Sequence, residues 1–192
     1  IVNLFIGFQH VQRKAVVLNQ VVTAASAFSA TNIDDIVILM LFFSRPDRGP
    51  SAGQVIAGQA LGLGLLVGVS LLGFFGRSLV PEAWLGLLGL LPISLGVSRL
   101  IEWLEDPEPD GADVALHPLA GIAGVAAVTV ANGSDNVGVY VPLFAHTSPS
   151  GLVITLVVFA LGVALWCWLA WRLARTPGVA ALLDRIGGPL IP

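Results

Sequence analysis

The chain has 192 residues, of which 56% are hydrophobic and only 11% charged, with a mean hydropathy of +0.89 and a formal charge of −3. Soluble domains carry about 25% charged residues, so this composition excludes an ordinary soluble globular protein and indicates an integral membrane protein. The lack of a basic patch with interleaved aromatics argues against nucleic acid as a partner, and a single cysteine, Cys167, excludes an intrachain disulfide or a Cys-rich metal site.

A helix crosses a bilayer with about 20 apolar residues. Five runs meet that need, at roughly 16–43, 54–76, 83–101, 118–145 and 151–171. The sequence begins with Ile1 rather than Met, so residues 1–14 are set apart as an uncertain N-terminal segment. The first apolar run has no secretory cleavage pattern and reads as retained. Punctuated segments separate the runs: SRPDRGPSAG, GRSLVPE, the acidic EWLEDPEPDGAD at 102–113, HTSPSG and RLARTPG. A sixth run begins near Val179 and ends at Pro192, too short to span, so the expectation is a last helix truncated here by roughly half its length.

The first run holds ATNIDDIVILMLFF at 30–43, with Asp34 and Asp35 in its middle, and the fourth run holds Asp135. An ionisable group at the centre of a membrane helix costs about 2.5–3.5 kcal/mol on insertion scales. No Lys or Arg lies at matching depth, since Arg77, Arg99 and Arg172 all sit at run ends. An internal ion pair is therefore a poor explanation, which leaves protons or a bound cation. A purely structural polar cluster is the competing reading, but membrane helices are usually glued by Ser, Thr, Asn or Gln.

The two halves repeat. Ser29, Asn32 and Asp35 match Thr129, Asn132 and Asp135 at an offset of 100, and Pro92 matches Pro192 at the same offset. The chain then divides into a three-helix repeat at 15–101, an acidic linker at 102–117 and a second, incomplete repeat at 118–192. Three helices per repeat would invert the second relative to the first, an architecture with its site at the repeat interface. The predicted fold is thus an all-α membrane protein of two inverted three-helix repeats.

Asn32 and Asp35 are three residues apart, as are Asn132 and Asp135, so each pair should share one helical face, with Ser29 and Thr129 one turn away. Converging faces would offer carboxylate, amide and hydroxyl oxygens, a donor set for divalent cations such as Mn²⁺ or Ca²⁺, with Zn²⁺ and Cd²⁺ also accepted. Gly133 in ANGSDN suggests local unwinding, and Pro92 and Pro142 offer further kinks. The pairs Gly58/Gly62 and Gly64/Gly68 read as helix-packing surfaces, inside the subunit or in a homodimer. Gln59 could reach the site or bond a neighbouring helix. His117 and His146 read as interfacial residues, and Trp84, Trp103, Trp166, Trp168 and Trp171 as an aromatic belt. Arg45, Arg48, Arg99, Arg172, Arg175 and Arg185 would face the cytoplasm, with the N-terminus outside.

The segments TNIDDIVILMLFF, GLLGLLPISLG and ANGSDNVGVYVPLF resemble the motifs of the cadmium resistance transporter family, the CadD-like proteins of the lysine exporter superfamily. The resemblance runs from about Thr23 onward. It implies a multi-pass protein of the bacterial inner membrane that exports divalent metal. By position, it places Asn32, Asp34, Asp35, Asn132, Asp135 and Asn136 along the ion path.

No cofactor is expected, because the metal would be the cargo. A Walker motif is missing from the sequence, so export would draw on a gradient. Moving a dication against about 100 mV costs roughly 4.6 kcal/mol, and exchange for two protons cancels that voltage. The expected partners are therefore a divalent cation, protons and the lipid bilayer. Alternatives are export of an amino acid or small organic cation, or a non-transporting metal sensor or scaffold. An enzyme is disfavoured, since there is no HExxH helix and no Ser–His or Ser–Lys pairing at common depth.

Overall fold

The computed structural model describes residues 2–44, 49–76 and 121–179, together with Val97 and Ile101. The third apolar run, the acidic linker and the last helix beyond 179 otherwise lie outside the described residues. So do Pro92, Pro192, His117, Trp84, Trp103 and most of the arginines used to predict orientation.

Among the described residues the elements are helices: α1 (Val2–Asn32), α2 (Asp35–Ser44), α3 (Ala52–Gly76), α4 (Ile122–Asn132), α5 (Asn136–Ala145) and α6 (Pro149–Ala174). The all-α membrane class agrees with the prediction. Helices α3 and α6 are each long and apolar enough to cross a membrane, and α1 with α2 forms a third such length, bent by 60°. Local chemistry sets the starts. Ser51 and Gln54 form a reciprocal capping box ahead of α3, with Ser51 N donating to Gln54 Oε1 at 2.8 Å. Ser148 caps α6, accepting from Gly151 N at 3.1 Å, with Pro149 in the first turn.

The local unwinding expected at Gly133 is present, whereas the expectation of an unbroken run at 16–43 needs correction: both this run and the one at 118–145 break at their Asp motifs. In the second half α4 and α5 are 11 and 10 residues long, and neither reaches across a bilayer alone. The cause is the Asn-Gly-Ser-Asp-Asn stretch, whose short polar side chains and glycine favour turns. There the main chain bonds in tight steps, Asn136 N to Gly133 O at 3.0 Å and Gly138 N to Asp135 O at 2.9 Å. The first half breaks at Ile33 and Asp34, one hundred residues earlier, where Val37 N bonds Asp34 O at 2.9 Å and Asp34 Oδ1 accepts from Asp35 N at 3.1 Å. Accordingly, Asn32 and Asp35 do not lie on one continuous helix, and neither do Asn132 and Asp135. In each pair the asparagine ends one helix and the aspartate stands at the start of the next.

Helix α3 packs along α4 and α5, while α1 and α2 pack along α6. The α3 seam depends on glycine. A Cβ at Gly58 would lie 2.5 Å from Val125 Cβ, and one at Gly62 would lie 2.5 Å from Thr129 Cβ. Gly73 likewise leaves room for the Val141 carbonyl. Gly64 and Gly68 take no part in this seam, and a Cβ at either meets nothing within 4 Å among the described residues. Between α1, α5 and α6 an aromatic cluster forms the core: Phe28, Tyr140, Phe144, Phe159 and Trp166. Gly62→Val should lower the unfolding free energy of the detergent-solubilised protein by about 1–3 kcal/mol through overpacking. Gly64→Ala should leave it unchanged or raised. Thermal and denaturant unfolding of both variants checks the pair.

Candidate functional site

The broken helices place four chain ends together: the C-termini of α1 and α4 and the N-termini of α2 and α5. Asp35 is in the first turn of α2, and Asp135 is the residue preceding α5. Carboxylates there meet the positive end of a helix dipole, worth about 0.3–1 kcal/mol each at exposed sites and more when partly buried. This supplies part of the compensation that the lack of a basic partner had left unexplained.

Asp35 is the hub, with only 3% of its surface exposed. Gln59 Nε2 on α3 donates to its Oδ2 at 2.7 Å, and Asn132 Nδ2 from the end of α4 donates to its Oδ1 at 2.8 Å. Asn132 also reaches Asp34 Oδ2 at 3.2 Å. Thr129 Oγ1 donates to Gln59 Oε1 at 2.6 Å, so the chain of bonds runs from α4 through α3 to α2. Asp34 is exposed and Asp135 half-buried, and both lie close enough for their charges to act on Asp35.

Beside this hub sits a second node built on Asn32. Its amide nitrogen faces Tyr140 Oη at 2.7 Å, Phe28 O at 2.8 Å and Thr31 Oγ1 at 2.8 Å. Its amide oxygen accepts from Asn136 Nδ2 at 3.4 Å, and its main-chain carbonyl accepts from the Trp166 indole at 2.6 Å. Tyr140 and Thr31 hydroxyls share a further bond of 2.7 Å. Among the described residues no buried side-chain nitrogen or oxygen lacks a partner, as a low-dielectric interior demands.

The structure therefore brings Asp34, Asp35, Asn132, Thr129 and Gln59 into one hydrogen-bonded group, and joins Asn32 and Asn136 in the neighbouring one. Half-buried Ser29 stays outside the hydrogen bonds of both nodes. Tyr140, absent from the predicted site, is fully buried and is the chain's one tyrosine. A phenol inside an apolar run eight residues after an intramembrane Asn was its available signal. Trp166 corrects the belt assignment: its indole turns inward and closes the α1 end, because a helix terminus leaves carbonyls that need donors. Trp168, by contrast, is exposed, and Trp171 stacks under Arg175 at 4.0 Å.

Among the described residues no three of His, Cys, Asp and Glu stand close enough to hold a metal ion unaided. A cation at Asp35 would have to draw on amide, hydroxyl or main-chain oxygens as well. Discontinuous helices that free main-chain carbonyls at their breaks are a recurring feature of substrate and ion sites in secondary transporters.

A family model described as cadmium resistance transporter matches residues 28–191, which include both breaks and every residue of the two nodes. The chain belongs to the cadmium resistance transporter family. The match gives meaning to the apolar helices, which are those of a multi-pass membrane transporter. No curated protein and no solved structure matches the chain.

Removing the Tyr140 hydroxyl tests the second node. Tyr140→Phe removes the phenol's bonds to Asn32 and Thr31 while leaving the Asn32 amide two acceptors, and the unfolding free energy should fall by about 0.5–1.5 kcal/mol. Trp168→Phe, on the exposed face, should change nothing in the same detergent unfolding assay.

Proposed function

We propose that this family member exports divalent metal cations from the bacterial cytoplasm in exchange for protons, through a site at the two helix breaks. The metal ligands are Asp34, Asp35 and Asp135 with Asn32 and Asn132, and the path beside them is lined by Ser29, Thr129, Asn136 and Gln59. One observation carries this reading: the Asn132 amide from the second half closes directly on the Asp35 carboxylate of the first, at 2.8 Å. The two motifs that match at an offset of 100 thus meet at one point. Broken helices at membrane depth are tolerated where they are buried in protein or line a cavity, and they commonly mark substrate sites in secondary transporters.

The donor set is oxygen-rich. Hard and borderline ions suit it, whereas Cd²⁺ prefers thiolate. Mn²⁺, Zn²⁺ or Ca²⁺ is then the physiological cargo, and Cd²⁺ is carried because the site does not reject it. Proton exchange answers the voltage: a dication against about 100 mV costs roughly 4.6 kcal/mol, and two returning protons cancel it. The two halves rock about the breaks to expose the site to each side in turn.

The test is flux into proteoliposomes. Cd²⁺, Mn²⁺, Zn²⁺ and Ca²⁺ uptake should rise with an imposed pH gradient. It should fall by at least about tenfold in Asp35→Asn and Asp135→Asn, the loss expected for removed ligands. Unchanged flux in both variants would return the aspartates to a structural role. Flux indifferent to the pH gradient would remove proton exchange while leaving export intact. Cd²⁺ outcompeting Mn²⁺ by orders of magnitude would overturn the ion assignment.

A further inference from the structure

Gln59 and Thr129 form a chain of hydrogen bonds whose direction is reversible. A carboxylate only accepts, so the Gln59 nitrogen must face Asp35 and its oxygen must face Thr129. The distances agree: 2.7 Å from Gln59 Nε2 to Asp35 Oδ2, and 2.6 Å from Thr129 Oγ1 to Gln59 Oε1. Thr129 Oγ1 also lies 2.9 Å from the Val125 carbonyl one turn back on α4. A hydroxyl has one proton and two lone pairs, so Thr129 can donate to Gln59 or to Val125, but not to both.

If the Thr129 proton turns to Val125, the hydroxyl oxygen is free to accept. Gln59 can then rotate its amide, donate its NH₂ to Thr129 and direct its carbonyl oxygen at Asp35. Thr129 and the Gln59 NH₂ keep partners, while Asp35 Oδ2 and Gln59 Oε1 each give up a donor and face each other. An amide oxygen against a carboxylate oxygen is repulsive unless a cation lies between them. While Asp35 is a carboxylate, the reversed amide is therefore stable only when the site holds a cation. Amide carbonyls are ordinary ligands of hard divalent cations.

We propose that Gln59 reverses its amide on loading and becomes a ligand of the bound dication, and that Thr129 is the positioning residue that makes the reversal possible. The inference rests on the export reading above. In the empty, deprotonated site the Gln59 NH₂ stabilises the Asp35 charge in place of the cation, and in the loaded state the Gln59 oxygen completes the ligand set. All three side chains are nearly sealed, Asp35 at 3%, Gln59 at 4% and Thr129 at 4% exposure. Bulk water therefore does not compete for these bonds. Gly62 is part of the device. Its missing side chain lets the Thr129 Cβ sit where a Cβ on α3 would stand only 2.5 Å away, bringing the hydroxyl within reach of Gln59 three residues before.

The experiment uses the full chain in detergent, with Cd²⁺ as the probe. Calorimetric titration gives affinity, and an infrared difference spectrum, loaded minus empty, reads the side-chain carbonyl stretch. Wild type should show a glutamine amide carbonyl band shifting to lower frequency on loading. Gln59→Leu should lose that band and weaken Cd²⁺ binding by about tenfold or more. Thr129→Val keeps the shape but not the hydroxyl. It should weaken binding by a similar factor, and Thr129→Ser should restore both affinity and band. Should Gln59→Leu fail to fold, the Thr129 pair decides by itself. A band that persists in folded Gln59→Leu, or Thr129→Val binding as wild type does, would overturn the reversal while leaving the export reading standing. Wild type that does not bind Cd²⁺ at all would overturn both.

Discussion

One buried carboxylate organises this molecule. Asp35 sits at 3% exposure in an apolar bundle, and no described cation reaches it. Leaving such a charge unpaired in a low-dielectric interior costs several kcal/mol. The fold answers with two amide donors and a helix N-terminus. Each demands something of the chain. The helix end requires a break after Asn32, Asn132 must arrive from the second half, and Gln59 must be held by α3 within 2.7 Å.

The close packing of α3 on α4 follows from that need. Side chains as short as Gln, Thr and Asn reach one another only when the backbones approach, and Gly58 and Gly62 remove the obstacle. In a membrane, where lipid already solvates apolar surface, such small-residue seams are a main source of helix association. The aromatic cluster serves the other side. Phe28, Tyr140, Phe159 and Trp166 fill the space between α1, α5 and α6, and two of them spend their polar atoms on Asn32 and its carbonyl. Packing and polar satisfaction are the same residues here, so the two breaks are held from both sides.

Breaking the helices also changes the chemistry available. An unbroken helix would bury its main-chain carbonyls in its own bonds, and two aspartates on it would face lipid or each other. The breaks instead expose helix ends of both signs at one depth. The positive N-termini of α2 and α5 stand at Asp35 and Asp135, while amides and a hydroxyl stand beside Asp35. The donors gathered there are oxygens and amides, with no thiolate among the described residues of the two nodes.

The all-α membrane class and the family were legible in the sequence. Each depends on composition or on residues at fixed spacing, and apolar length and buried charge have only a few physical solutions in a bilayer. The break at Gly133 was legible too, since turn-forming residues cluster there. The break at Ile33 and Asp34 was not, because the local sequence IDDIVILM has no glycine or proline, and tertiary bonds from Tyr140, Trp166 and Asn132 stabilise it instead. Tertiary structure also decided which polar residues meet. Spacing alone put Asn32 beside Asp35, whereas the bend separates them and gives Asp35 to Gln59 and Asn132. Pairings of that kind depend on which backbones approach across 24 to 97 residues of chain, which no local pattern encodes.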